Sequence, residues 1–190
     1  SHVYSKEMEH DSCGVGLIAS TEGKKSRKVV EYGINALKAV WHRGAVDADG
    51  KTGDGAGIHL EIPLDFFAEK IEITGHDHDG SEICVGMVFL PRDNYQAQEN
   101  ARTLVESELT KSNFSIYGWR QVPVDPKVLG EKANLTRPEI TQVLFKHNNK
   151  DLIEKELERK IYESRRKIEK EAIKNAIEGF YICSLSSKSI

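Results

Sequence analysis

No uninterrupted apolar run in the sequence approaches the roughly 18 to 20 residues a helix needs to cross a bilayer. The first twelve residues are polar and charged where a secretory signal would carry an apolar core. The two absences predict a soluble chain in the cytoplasm or a similarly reducing compartment, with no membrane partner. Cysteine is scarce too: Cys13, Cys84 and Cys183 are odd in number and widely spaced, which fits neither a disulfide framework nor a zinc site. At least one thiol is expected to be free. An excess of one charge sign is also missing, because the 30% of charged residues nearly cancel to a formal −3. No global field recommends nucleic acid or anionic lipid as a partner, so any binding must be local.

What is present is enough apolar material, 38% of 190 residues, to supply the core of one sizeable domain. No internal repeat, low-complexity stretch or linker divides it. Residues 13–20 read as a short buried strand ended by the turn Thr21-Glu22-Gly23. Val29, Val30, Ile34, Leu37, Val40 and Trp41 then recur at helical steps, with Ser26 as N-cap. That amphipathic helix would deliver His42-Arg43-Gly44 at its C-terminal end. After the glycine-rich residues 50–57, strands are expected at 58–62, 83–90, 114–122, 140–147 and 180–185, and helices at 64–70 and 94–111. Residues 76–81 and 123–138 read as irregular. The longest helix follows Asn148-Asn149, with Ile153, Leu157, Ile161, Ile168, Ala172 and Ala176 on its apolar stripe. The whole predicts an α+β domain of helices and largely antiparallel strands.

Chemistry gathers in the N-terminal third. Cys13 stands beside Gly14 and near Gly16 at the start of a strand, where glycine is kept for bends or close approach. From the residue alone it is either a small buried hydrophobe or a nucleophile. Cys84 and Cys183 lie inside apolar runs and read as buried. Arg43 at a helix C-terminus is a dipole partner, a surface ion pair or a ligand contact. Thr52-Gly53-Asp54-Gly55-Ala56-Gly57 lacks the Gly-Lys-Ser/Thr ending of a phosphate loop and the strand-before-helix setting of a dinucleotide fingerprint, so it reads as a tight turn into a strand.

Asp11-Ser12-Cys13-Gly14-Val15-Gly16, His42-Arg43-Gly44 and Thr52 to Gly57, in that order, resemble the amidotransferase domain of glutamate synthases. The similarity continues through Tyr117-Gly118-Trp119-Arg120-Gln121-Val122-Pro123-Val124, the Val128-Leu129-Gly130 turn, Arg159-Lys160-Ile161-Tyr162 and Phe180 to Ser187. It resembles a class II glutamine amidotransferase of the N-terminal nucleophile group. The resemblance implies a four-layer αββα sandwich, incomplete at its C-terminal side, with residues 1–12 a leader and 13–190 the N-terminal part of the glutaminase domain.

Cys13 would be the nucleophile, freed by cleavage between Ser12 and Cys13, and its own α-amine, with an ordinary pKa near 8, would be the base. While Ser12 is attached that nitrogen is an amide and not basic, so the chain as given reads as an unprocessed precursor. Arg43 would grip the α-carboxylate of L-glutamine through its planar fork of donors. His42 would pack or hydrogen-bond, and Gly44 and Asp54 would support the turn, Asp54 either orienting backbone amides or serving as a turn residue. The family's Asn-Gly oxyanion motif has no counterpart in the 190 residues. Losing an oxyanion donor costs on the order of a hundredfold to a thousandfold, so this segment alone is expected to be nearly inactive. The chain stops in what resembles the middle of the glutaminase domain.

The parent enzyme implied by the resemblance makes glutamate from glutamine and 2-oxoglutarate with FMN, an iron–sulfur cluster and NADPH, NADH or ferredoxin, none of them bound by this segment and no metal with them. Its partners would be the remainder of the large subunit, with a small subunit or ferredoxin, and a eukaryotic parent would place it in the plastid. Three alternatives stand beside this reading: a non-catalytic interaction or regulatory module with the same fold, the glutaminase domain of another class II amidotransferase, and an amidase acting on another amide. Retention of Arg43 argues for an amino-acid substrate.

Overall fold

Residues 14–78 and 80–190 are described by a computed structural model. In chain order the elements are α1 (Arg27–Ala39), a 3-10 turn at Trp41–Arg43, α2 (Leu64–Ile73), β1 (Cys84–Leu90), α3 (Tyr95–Lys111), β2 (Phe114–Gln121), a second 3-10 turn at Pro126–Val128, α4 (Glu131–Thr136), β3 (Glu139–His147), α5 (Glu154–Lys174) and β4 (Tyr181–Ser186). They fall into two compact units. One takes in the residues through Ile58 together with Pro126–Thr136, and the other His59–Asp125 with Arg137–Ile190.

The second unit is built on a sheet of order β2-β3-β1-β4, antiparallel at every pairing. β1 and β3 lie inside it, from Cys84 opposite Phe145 to Leu90 opposite Glu139. Their nearly continuous apolar sequences follow from that position, because successive side chains point to opposite faces and both faces are covered here. On one face Cys84, Val88, Leu90, Val143 and Phe145 meet Ala101, Val105 and Leu109 of α3 and Leu157, Ile161 and Ile168 of α5. On the other, Val85, Leu144 and Tyr117 meet Phe67 and Ile71 of α2, with Ile62 and Ile83. Each such side chain contributes on the order of 1.5–3 kcal/mol by leaving water. The α+β class therefore holds. The described residues contain one multi-stranded sheet, not the two that an αββα sandwich requires.

Capping decides the helix ends. Asn94 precedes α3 and its side chain accepts from Ala97 N at 3.0 Å, whereas Ser26 holds the N-cap position of α1 without a side-chain bond. The long helix is shorter than its apolar stripe suggested. Ile153 is its N-cap and is 63% exposed. Ala176 lies beyond its end with φ 49°, where Ala176 N donates to Ile173 O at 3.1 Å and Ile177 N to Ala172 O at 3.0 Å. That pair of bonds closes the helix as a Schellman turn, with alanine at the left-handed position glycine usually takes.

Two expected strands are absent or reduced. Residues 14–20 have no regular structure, and Val15 and Leu17 are 92% and 88% exposed. A strand exists only through its ladder, and these residues have no pairing partner among the described ones. At 58–62 the expected strand shrinks to a bridge between Glu61 and Ser189, flanked by Leu60 N to Ile190 O and Ile190 N to Leu60 O, each 2.9 Å. Residues 123–138, expected to be irregular, contain α4.

In the first unit the amphipathic reading of 26–41 is met by α1 and the turn after it. Among that unit's described residues only Gly130 is buried. The unit's described residues are tied together by polar contacts at one loop, with no apolar core among them.

Candidate active site

Of the residues proposed above for the chemistry, His42, Arg43, Gly44 and Asp54 lie in the first unit. Cys13 and Ser12 fall outside the described residues. Arg43 ends the 3-10 turn that continues α1, and its side chain also lies outside the described part. Gly44 closes that turn, its N–H donating to Trp41 O at 3.0 Å. His42 is exposed, and its Nδ1 is 3.1 Å from Ala39 O, so its ring hydrogen-bonds back onto the last turn of α1.

The chain then makes a small antiparallel loop. Val46 bridges Gly53, Asp47 N donates to Thr52 O at 2.7 Å, and Gly50 N to Asp47 O at 2.9 Å. Asp54 sits at its base, where Oδ2 accepts from Ala45 N at 2.8 Å while Asp54 N donates to Ala45 O at 3.3 Å. The Oδ2 bond shows Asp54 orienting one backbone amide within the turn. It fixes the residue immediately after Gly44.

Sequence reasoning missed the residues that tie this loop down. Asp49 Oδ1 accepts from Lys51 N at 2.9 Å and Thr52 N at 2.7 Å; Oδ2 accepts from Thr52 Oγ1 at 2.5 Å and Glu131 N at 3.1 Å. The Thr52 hydroxyl and backbone, then the Lys51 amide, hold the Asp49 carboxyl well below the usual carboxylate range. Thr52 Oγ1 also receives Ala133 N at 3.4 Å, and Lys132 Nζ pairs with Asp47 Oδ2 at 2.7 Å. A β-carbon on Gly130 would collide with Thr52 Oγ1 and N and come within 2.5 Å of Asp49 Oδ2. Glycine is required there by close approach. The available signal was Asp49-Gly50, a turn dipeptide whose carboxylate can bond amides further along.

The other two cysteines divide. Cys84 is buried in β1, and burial, aided by the charges of Glu82 and Glu158, pushes its thiol up and keeps it unreactive. Cys183 is exposed on β4, against the expectation from its apolar run. Apolar neighbours do not bury every position of an edge strand. Among the described residues no group of three His, Cys, Asp or Glu is placed to hold a metal, and no helix is long and apolar enough to cross a membrane.

The family model of the class-II glutamine amidotransferases matches residues 13–190. The large chain of the NADPH glutamate synthase of Azospirillum brasilense is 53% identical over 190 residues, which are 100% of this chain and 12% of that protein. A ferredoxin-dependent glutamate synthase of Pyropia yezoensis is 37% identical over 194 residues, again 100% of this chain and 12% of its own length. The ferredoxin-dependent glutamate synthase 1 of Arabidopsis thaliana, chloroplastic or mitochondrial, is 38% identical over 189 residues, 96% of this chain and 11% of that protein. The chain thus spans about an eighth of the length of these relatives.

Proposed function

The chain belongs to the class-II glutamine amidotransferase family, and from that membership we propose that it is the glutaminase part of a glutamate synthase large chain, hydrolysing L-glutamine to glutamate and ammonia. The observation that carries the reading is that all 190 residues align, at 53% identity, with 12% of a glutamate synthase large chain. The three relatives described are all named glutamate synthases, which disfavours the non-catalytic module and the glutaminases of other biosynthetic enzymes.

In this proposal residues 1–12 are a leader removed between Ser12 and Cys13. The freed α-amine of Cys13 takes the thiol proton, and the thiolate attacks the side-chain amide carbon of glutamine. The tetrahedral oxyanion collapses, ammonia leaves with the proton returned by the amine, and water hydrolyses the thioester to glutamate. Arg43 holds the α-carboxylate by a forked pair of N–H donors, a geometry lysine cannot reproduce. The turn that carries it, fixed by the Gly44–Trp41 and Asp54–Ala45 bonds, supports that role. His42 and Gly44 shape the turn.

The finer architecture in the proposal is an αββα sandwich, incomplete at its C-terminal side. FMN, the iron–sulfur cluster, the electron donor named in the relatives and any small subunit belong to other parts of the parent, and no step in this chain runs through them. The reaction is placed in the cytoplasm, or in the plastid for a eukaryotic parent.

The test is ammonia release by the full-length processed protein from glutamine and from glutamine whose α-carboxylate is amidated. Faster release from glutamine than from the α-amide, abolished in Cys13→Ala and weakened mainly through the KM for glutamine in Arg43→Lys, is expected. Equal release from both substrates would overturn the carboxylate clamp, and release surviving Cys13→Ala would overturn the nucleophile.

A further inference from the structure

α4 begins at Glu131, so Gly130 occupies the position whose side chain would ordinarily cap the helix. Glycine has none to offer. The caps arrive instead from a loop about eighty residues earlier in the chain: Asp49 Oδ2 accepts from Glu131 N at 3.1 Å, and Thr52 Oγ1 from Ala133 N at 3.4 Å. The space a β-carbon at Gly130 would need is filled by those same two residues. Asp49 is anionic, as suits a helix N-terminus. Lys132 adds an ion pair to Asp47 at 2.7 Å on the same loop. The loop and α4 therefore immobilise one another, and the loop's other end is pinned by Asp54 to Ala45, directly after Arg43 and Gly44.

We propose that Asp49, with Thr52, is a positioning residue for the substrate clamp: by capping α4 it fixes the 45–54 loop, and through the Asp54–Ala45 bond it fixes where Arg43 presents its donors. Asp49 touches no substrate in this account. The inference rests on the glutaminase reading above, and it locates the specificity for the α-carboxylate partly in a carboxylate six residues past Arg43 in the sequence.

The experiment uses the full-length processed protein and the variants Asp49→Asn, Thr52→Val and Thr52→Ser. Asp49→Asn exchanges one acceptor oxygen for an amide that cannot receive the Glu131 N–H or the Thr52 hydroxyl. Thr52→Val deletes the hydroxyl at constant shape, and Thr52→Ser restores it. Hydrogen exchange is read over 44–54 and 131–136, and kcat and KM are measured for glutamine and its α-amide. In Asp49→Asn and Thr52→Val, exchange should quicken in those two segments only. KM for glutamine should rise about tenfold with kcat held within about threefold, since small misplacements of a positioning group already cost that much. The α-amide should be turned over as before, and Thr52→Ser should sit near wild type.

Unchanged exchange, an unchanged KM for glutamine, or an equal loss for both substrates would each overturn the positioning role. If the wild-type protein releases no ammonia from glutamine, the glutaminase reading itself falls and takes the clamp with it. The exchange data would then still report whether the cap exists.

Discussion

Gly86→Ala puts a single methyl group into the most crowded place in the sheet. Gly86 lies in the inner strand β1, opposite Leu185 of β4 on one side and Val143 of β3 on the other. A β-carbon there would stand 2.5 Å from Leu185 Cδ1 and 2.7 Å from Val143 Cγ1. Carbon atoms rest at about 3.5–4.0 Å, so each neighbour must withdraw by roughly 1 Å. Val143 has no exposed surface and a stiff branched side chain. Leu185 is held against the same helices. Overpacking of this kind costs about 1–3 kcal/mol, offset by about 0.4–1 kcal/mol from the stiffer unfolded chain. The net expectation is a loss of about 1–2 kcal/mol, read by urea denaturation through the emission of Trp119, which sits in the same sheet against the α3 face. Combining Gly86→Ala with Leu185→Ala should cost less than the sum of the two by about 1 kcal/mol, because the second change vacates the space the first requires. A neutral Gly86→Ala, or strict additivity in the double variant, would refute the crowding argument.

Ala176→Gly should act in the opposite direction. A left-handed alanine costs about 1–2 kcal/mol, and glycine returns part of this by making the unfolded chain looser, so a gain of about 0.5–1 kcal/mol is expected in the same denaturation assay. A loss of stability would mean that the Schellman turn after α5 does not form. The Asp49 carboxyl is depressed in the folded chain, so the stability it contributes is complete above the ordinary carboxylate value and is lost only as pH falls through its lower folded value. Protection of the Glu131 and Thr52 amides should therefore persist at about pH 3, below the ordinary Asp value near 3.9. Loss of that protection in step with ordinary carboxylates, near pH 4, would contradict the four-bond geometry.

The second unit was largely legible in advance because its signals are local and periodic. The expected strand at 83–90 is β1 at Cys84–Leu90, and the expected helix at 94–111 is α3 at Tyr95–Lys111, with Asn94 its cap rather than its first residue. What failed depended on distant partners. The apolar residues of 13–20 promise a strand but cannot specify what pairs with it. Ile153 and Ala176 keep the helical spacing yet lie outside α5, because spacing records where a side chain would point and not where the backbone turns. In the site, Asp54 was legible as a turn residue, while its bond to Ala45 was one of two options. Asp49, Thr52 and Gly130 were invisible as a group, since the capping of α4 joins residues about eighty positions apart. The helix itself is six residues long, too short to show a periodic face. Arg43 and Cys13 took their roles from resemblance, not from any property of the residues alone.

The most direct measurement is covalent labelling of the full-length processed protein by a glutamine-mimicking diazoketone, with the modified cysteine located by mass spectrometry. Cys84 provides a buried control with a suppressed thiol, and Cys183 an exposed one. Labelling of Cys13 ahead of both, blocked by excess glutamine and dependent on removal of residues 1–12, is the predicted result. Labelling of Cys13 no faster than Cys183, or unaffected by glutamine, would contradict its assignment as the glutaminase nucleophile.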